Sequence, residues 1–212
     1  MQWQIGAMSD VNKLWNQGEI YPTYLSENSM PRIKIQLVNV QCKDTEDVTG
    51  ADELYLVGAL VGGGITKAIL TTPIDINDGE VKKFKPDQSI LFEGNVPADE
   101  SIKGGIKAYD EDAGKDWSKY GDTVTGITSA VSAVLAAAGP KGVLAGTILS
   151  ASVKGVGILA SLDKDDLLGS TELVISSTGP AFEEVAWRFK KTGSSLGYSD
   201  WDYTLRYRIT RS

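Results

Sequence analysis

"IKIQLVNV", residues 33–40, and "ELYLVGALVGGG", residues 53–64, decide the fold class. In the first, Ile33, Ile35 and Leu37 recur every second position and so share one face, the pattern of a half-buried strand. The second is a continuous apolar run that ends in glycines, a further strand and its turn. Working outward, "ITKAILTT", "EVKKF", "SILFEGNV", "GGIKAY", "STELVISS", "VAWRFKK" and "YTLRYRIT" carry similar patterns. Turn signals separate them: "NDG" at 77–79, "KPD" at 85–87, "VPADES" at 96–101 and "TGSSLG" at 192–197. Many short strands without a strand–helix alternation predict a mainly β protein, an antiparallel sandwich of about eight strands.

The chain has 212 residues, 42% of them hydrophobic, enough for one generous core. Residues 1–31 mix aromatics with polar side chains and end in "SENSMPR", which predicts an N-terminal arm lying across a domain at 32–212. Within that domain one stretch breaks the β pattern. From Val124 to Leu162 only Lys141 and Lys154 are charged, and "GPKG" at 139–142 interrupts the run at its centre. This predicts an inserted helical hairpin over 116–162, with arms of roughly fifteen residues each. Thr125, Ser129, Ala133 and Ala137 on one arm, and Gly142, Gly146 and Ser150 on the other, recur every four positions. Such small-residue ridges let two helix backbones approach closely. Each arm is short for a membrane span, which takes about twenty apolar residues. Two readings of the hairpin stand: it is covered by the sandwich or a second subunit, or it inserts into a bilayer. Under the second, Trp117, Tyr120, Leu135, Val143 and Leu144 are the candidate lipid contacts. For Trp117 and Tyr120 the favoured reading is packing of the hairpin base against the sandwich.

Acidic residues gather in three turns: Asp44, Glu46, Asp47 and Asp52 in "CKDTEDVTGADELYLV", Asp110, Glu111 and Asp112 in "YDED", and Asp163, Asp165 and Asp166 in "LDKDDLLG". Carboxylates in loops are the preferred protein ligands of calcium, and like charges brought together favour a bound cation.

These stretches resemble the C2 domain, the calcium-binding β-sandwich of peripheral membrane proteins. "EDVTGADELYLV" is similar to its first calcium loop, "IKAYDED" to the strand entering its third, and "DDLLGS" to the close of that loop. The final pair "VAWRFKKTG" and "DYTLRYRIT" is similar to its last hairpin. The resemblance spans about residues 32–112 and 163–210. It implies calcium ligands at Glu46 or Asp47, Asp52, Asp110, Asp112 and Asp166, with Asp163 and Asp165 as neighbouring substitutes. Glu53 stands where the family usually has proline, and the hairpin interrupts the third loop. The two acidic turns at 110–112 and 163–166 thus become halves of one loop, and the apolar insertion sits where the family meets lipid. A C2-like sandwich that has lost its metal, and an unrelated sandwich, are the alternatives.

The absence of histidine removes the usual general base and the common hydrolase triads. Glycoside hydrolysis by a carboxylate pair is disfavoured by the clustering of the acids. "GGGITK" lacks the spacing of a phosphate-binding loop. A formal charge of -7 without a basic cluster argues against a nucleic-acid partner. Cys42 is the single cysteine and reads as a core thiol at a strand end. No secretory leader pattern opens the sequence, consistent with a cytoplasmic protein or export by a leaderless route. The expected function is a non-enzymatic, calcium-binding module that associates with a membrane or a protein, with a pore-forming or toxin-like role as its sharper version. The alternative is a structural or homo-oligomeric protein whose hairpin packs permanently against the body or a partner.

Overall fold

The computed structural model describes residues 30–45, 51–111, 117–156, 166–193 and 200–212. Within them the chain forms β1 (Arg32–Asp44), β2 (Asp52–Gly62), β3 (Ile65–Leu70), β4 (Ile74–Ile76), β5 (Val81–Lys82), β6 (Ile90–Asn95) and β7 (Ser101–Asp110). Two helices follow, α1 (Tyr120–Gly142) and α2 (Ala145–Gly155), and then β8 (Leu167–Ser176), β9 (Phe182–Lys191) and β10 (Trp201–Arg211). Every stretch read as a strand from its pattern is one. The three-residue β4, "IDI", is too short to show a period.

The strands form two antiparallel sheets. In the first, β9, β10 and β1 lie side by side, and β5 and β6 share the position beyond β1. In the second, β8, β7 and β2 lie side by side, and β3 and β4 share the position beyond β2. Four strand positions per sheet make a sandwich. Its core interleaves Ile33, Ile35, Leu37 and Val40 of β1 and Leu205 and Ile209 of β10 with Leu54, Leu56 and Leu60 of β2 and Ile102 and Ile106 of β7. The turn between β2 and β3 is made by Gly63 and Gly64, both at positive φ (56° and 76°), which a tight two-residue hairpin turn requires.

β2 explains the third layer. Its inward residues Leu54, Leu56 and Leu60 enter the sandwich core, while the alternate Tyr55, Val57, Ala59 and Val61 are also buried, in a second core. A strand apolar on both faces needs cover on both. The cover is the helical hairpin, whose Ile127, Val131, Val143, Ile148, Ala151 and Val156 close over the outer face of the second sheet. The molecule is thus a β-sandwich with an inserted hairpin packed on one side.

The insertion leaves and returns at one place. β7 pairs with β8, with Tyr109 opposite Leu167, and the Asp110 amide donates to the Asp166 carbonyl at 3.0 Å. Asp110 and Asp166 therefore flank one opening. From there α1 starts near Tyr55, against which Trp117 packs edge-on at 5.5 Å, and runs along the sheet to its far end. At that end Lys103 Nζ donates to the carbonyls of Lys141 (3.0 Å) and Val143 (3.2 Å), and Lys141 pairs with Asp99 at 3.2 Å. Tyr55 and Val61, which bracket this course on β2, are separated by roughly 20 Å of strand. The hairpin tip thus lies at the opposite end of the sandwich from Asp52 and Asp110. This corrects the expectation that the insertion projects from the loop that carries it.

Two details of the hairpin also differ from the sequence reading. The first arm is longer than expected, with helix up to Gly139, where φ of 71° kinks the chain before Pro140. The small-residue ridge Thr125, Ser129, Ala133 and Ala137 faces solvent, because Ile127 and Val131 claim the buried side. The close approach of the helices is made by another pair: a Cβ on Gly126 would stand 2.4 Å from the Gly155 carbonyl oxygen, and one on Gly155 2.6 Å from that of Gly126.

Candidate functional site

The acidic end of the sandwich is built around two strand-end carboxylates. Asp52 opens β2 and Asp110 closes β7, where it stands opposite Leu54. Both continue the inward-facing alternation of their strands, so they point between the sheets as diagonal neighbours, a spacing of about 7–8 Å between backbone positions. Asp52 is fully buried and Asp110 is 2% exposed. A carboxylate out of water must be hydrogen-bonded. The Tyr203 hydroxyl of β10 donates to Asp52 Oδ2 in a short bond that crosses from the first sheet to the second. The Glu53 amide donates to Asp110 Oδ1 at 2.7 Å. Glu111 continues the pairing, its amide donating to the Glu53 carbonyl at 3.2 Å and its carboxylate accepting from Trp117 Nε1 at 3.1 Å.

Around this pair the same end carries Asp44, Asp78, Asp200 and Asp202. Asp78 Oδ1 accepts from the Thr45 amide (2.8 Å) and hydroxyl (2.9 Å). Asp200 Oδ2 accepts from the Gly193 amide at 3.3 Å. Asp202 is held by Arg188, whose Nε donates to Oδ1 at 2.7 Å while Nη2 donates to Oδ2. That guanidinium holds the Asp202 carboxyl below the usual range. Asp44 moves the other way: desolvation first, and then the charges of Asp78, Asp200 and Asp202, raise its pKa. Lys43 Nζ also stands 3.9 Å from Asp202 Oδ2, so Arg188 and Lys43 both offset the acids at this end.

Of the residues the sequence put forward as metal ligands, the structure brings Asp52 and Asp110 together and sets the backbone of Asp166 beside Asp110, with the Asp166 side chain exposed. Glu46, Asp47, Asp112, Asp163 and Asp165 lie outside the described residues. Among the described residues no three acidic or other metal-binding side chains are grouped closely enough to hold an ion. Asp52 and Asp110 nonetheless fit calcium in kind: hard oxygen donors whose carboxylates can accept several partners each. Sequence reading missed Asp78, Asp200 and Asp202. The acid-x-acid spacing in "SDWDY" was the available signal for the last two.

The candidate lipid contacts fall differently. Tyr120 is partly buried, donates its hydroxyl to the Leu70 carbonyl at 2.6 Å, and has its pKa raised chiefly by burial. Trp117 and Leu135 pack against the second core, and Val143 is 2% exposed. Leu144, at the tip, is 71% exposed. By length and composition alone, Trp117–Gly142 is long and apolar enough to cross a membrane. Cys42 is buried, as expected of a core thiol.

No protein-family profile matches the chain, and no curated protein does. Among solved structures it is similar to human GIVD cytosolic phospholipase A2, at a TM-score of 0.40 and 11% identity, over 88% of this chain and 17% of that one. The same enzyme in complex with methyl gamma-linolenyl fluorophosphonate gives 0.39 and 10%, over 87% of this chain. The chain spans less than a fifth of these proteins.

Proposed function

We propose that this chain is a non-enzymatic C2-like module that binds calcium at the acidic end of its sandwich and associates with a membrane through that end. The hairpin stays packed on the second sheet throughout. The observation that carries this reading is the pair of buried, inward-facing carboxylates Asp52 and Asp110, on adjacent strands, with the backbone of Asp166 beside Asp110. Calcium takes about six to eight oxygens. Asp52 and Asp110 would supply the protein's innermost ones, with further carboxylates, carbonyls or water completing the shell. Bound calcium would neutralise this end and let it approach anionic headgroups.

The test is a thermal melt in EGTA and then in millimolar calcium. A ligand at a hundred times its dissociation constant stabilises the folded state by about 2.7 kcal/mol, a rise in Tm on the order of 5–10 °C for a chain of this size. The rise should vanish in Asp110→Asn, and calcium should carry the wild type onto anionic liposomes. An unchanged Tm together with no liposome binding discards the calcium mechanism.

One observation favours a second reading, that of an assembly protein. The outer side of α1 between Asp122 and Lys141 is uncharged and exposed at Thr125, Ser129, Ser132, Ala133, Ala136 and Ala137. Under that reading the mass in solution exceeds one chain and is indifferent to calcium and lipid.

A further inference from the structure

Asp52 is held from the opposite sheet. The donor that meets its Oδ2 is Tyr203, 151 residues further along the chain and in the opposite sheet. Both residues are fully buried. The Tyr203 ring is itself fixed. It stands opposite Phe189 in the β9–β10 ladder and stacks on it at 5.5 Å and 18°, and it stands opposite Cys42 in the β1–β10 ladder. A phenol has one hydrogen to give and a carboxylate only accepts. The direction of the bond is therefore set: Tyr203 donates and Asp52 accepts.

We infer that Tyr203 is a positioning residue for the cation-binding end: its hydroxyl, anchored in the first sheet, fixes the orientation in which the Asp52 carboxylate meets an ion. The inference rests on the calcium reading above. Partners that orient a ligating carboxylate contribute about ten- to a hundredfold in metal affinity. The sandwich then contributes to affinity at this end.

The experiment is a calorimetric calcium titration of the full chain, at a temperature where near-ultraviolet circular dichroism shows each variant folded. Tyr203→Phe should weaken calcium binding about tenfold. Cys42→Ala, which disturbs the same core but keeps the Tyr203–Asp52 bond, should lower Tm and leave affinity within about twofold. Should Tyr203→Phe not fold, Phe189→Leu takes its place: loosening the ring stack should weaken binding several-fold. Unchanged affinity in Tyr203→Phe, or in Phe189→Leu where it stands in, overturns the inference. So does an equal loss in Cys42→Ala, which would assign the effect to packing. A wild type that takes up no calcium overturns the calcium reading itself, a result distinct from either.

Discussion

Ile148→Ala tests whether the hairpin is a fixed layer or a releasable one. Ile148 is fully buried in the second core, on the α2 face that covers β2, β7 and β8. Truncation of such a side chain costs about 2–5 kcal/mol through lost burial and the cavity left behind. In a chain of this length each kcal/mol moves Tm by about 2–4 °C, so a fall on the order of 5–15 °C is expected. The fall should appear in a single transition. Release of the hairpin would bare Tyr55, Val57, Val61 and Tyr109, which are at most 5% exposed. At about 1.5–3 kcal/mol for each large side chain, that exposure costs roughly 6–12 kcal/mol, even if a bilayer re-buried the hairpin's own residues. This is comparable to the whole stability of an ordinary domain, about 5–15 kcal/mol. Differential scanning calorimetry, with helical and aromatic circular dichroism recorded in parallel, makes the measurement. The reasoning is refuted if Ile148→Ala produces an early transition that loses only helical signal, while the main transition stays where the wild type has it.

Three further outcomes follow from named contacts. Gly126→Val drives its first added carbon against the Gly155 carbonyl oxygen, so it should destabilise by about 1–3 kcal/mol. Gly121→Ala, with nothing within 4 Å, should stabilise by up to about 1 kcal/mol. Denaturant melts of the two variants should therefore move in opposite directions. Asp202, whose pKa Arg188 depresses, contributes stability that is complete above the unfolded value of about 3.9 and is lost as pH falls through its lower folded value. Asp202→Asn should accordingly be less stable than wild type at pH 6, with the gap closing below pH 4. Cys42, buried with its thiol pushed up to about 12, should resist iodoacetamide in the folded protein and react once denatured. Labelling at comparable rates in both states would contradict that environment.

The strands were legible because their side-chain period and turn chemistry are local properties. Ile33, Ile35 and Leu37 announce a buried face by themselves, and Gly63–Gly64 announces the turn. The third layer was written in "ELYLVGALV" as an absence of alternation, yet nothing in that run says which segment covers its second face. The four-residue spacing of small residues on α1 misled for a physical reason. Helix orientation follows the large side chains Ile127 and Val131, and the small residues occupy the exposed face that remains. The helices instead meet at a single glycine pair, which carries no repeat. At the acidic end Asp52 and Asp110 could be found because acids at strand termini stand out. Tyr203 could not, because its partner lies across both the core and most of the chain.

The hydrogen bond between the Asp110 amide and the Asp166 carbonyl has a practical consequence for anyone rebuilding this molecule. The backbone at the base of the hairpin is already closed, so a short loop could splice residue 110 to 166 without moving either strand. Such a deletion would leave the aromatic and aliphatic side of β2 facing water, and the shortened protein should precipitate. The permissive place for a reporter or an affinity tag is instead the kink at Gly139 and the exposed Pro140, ahead of the buried Val143, where an added segment would point away from the charged end.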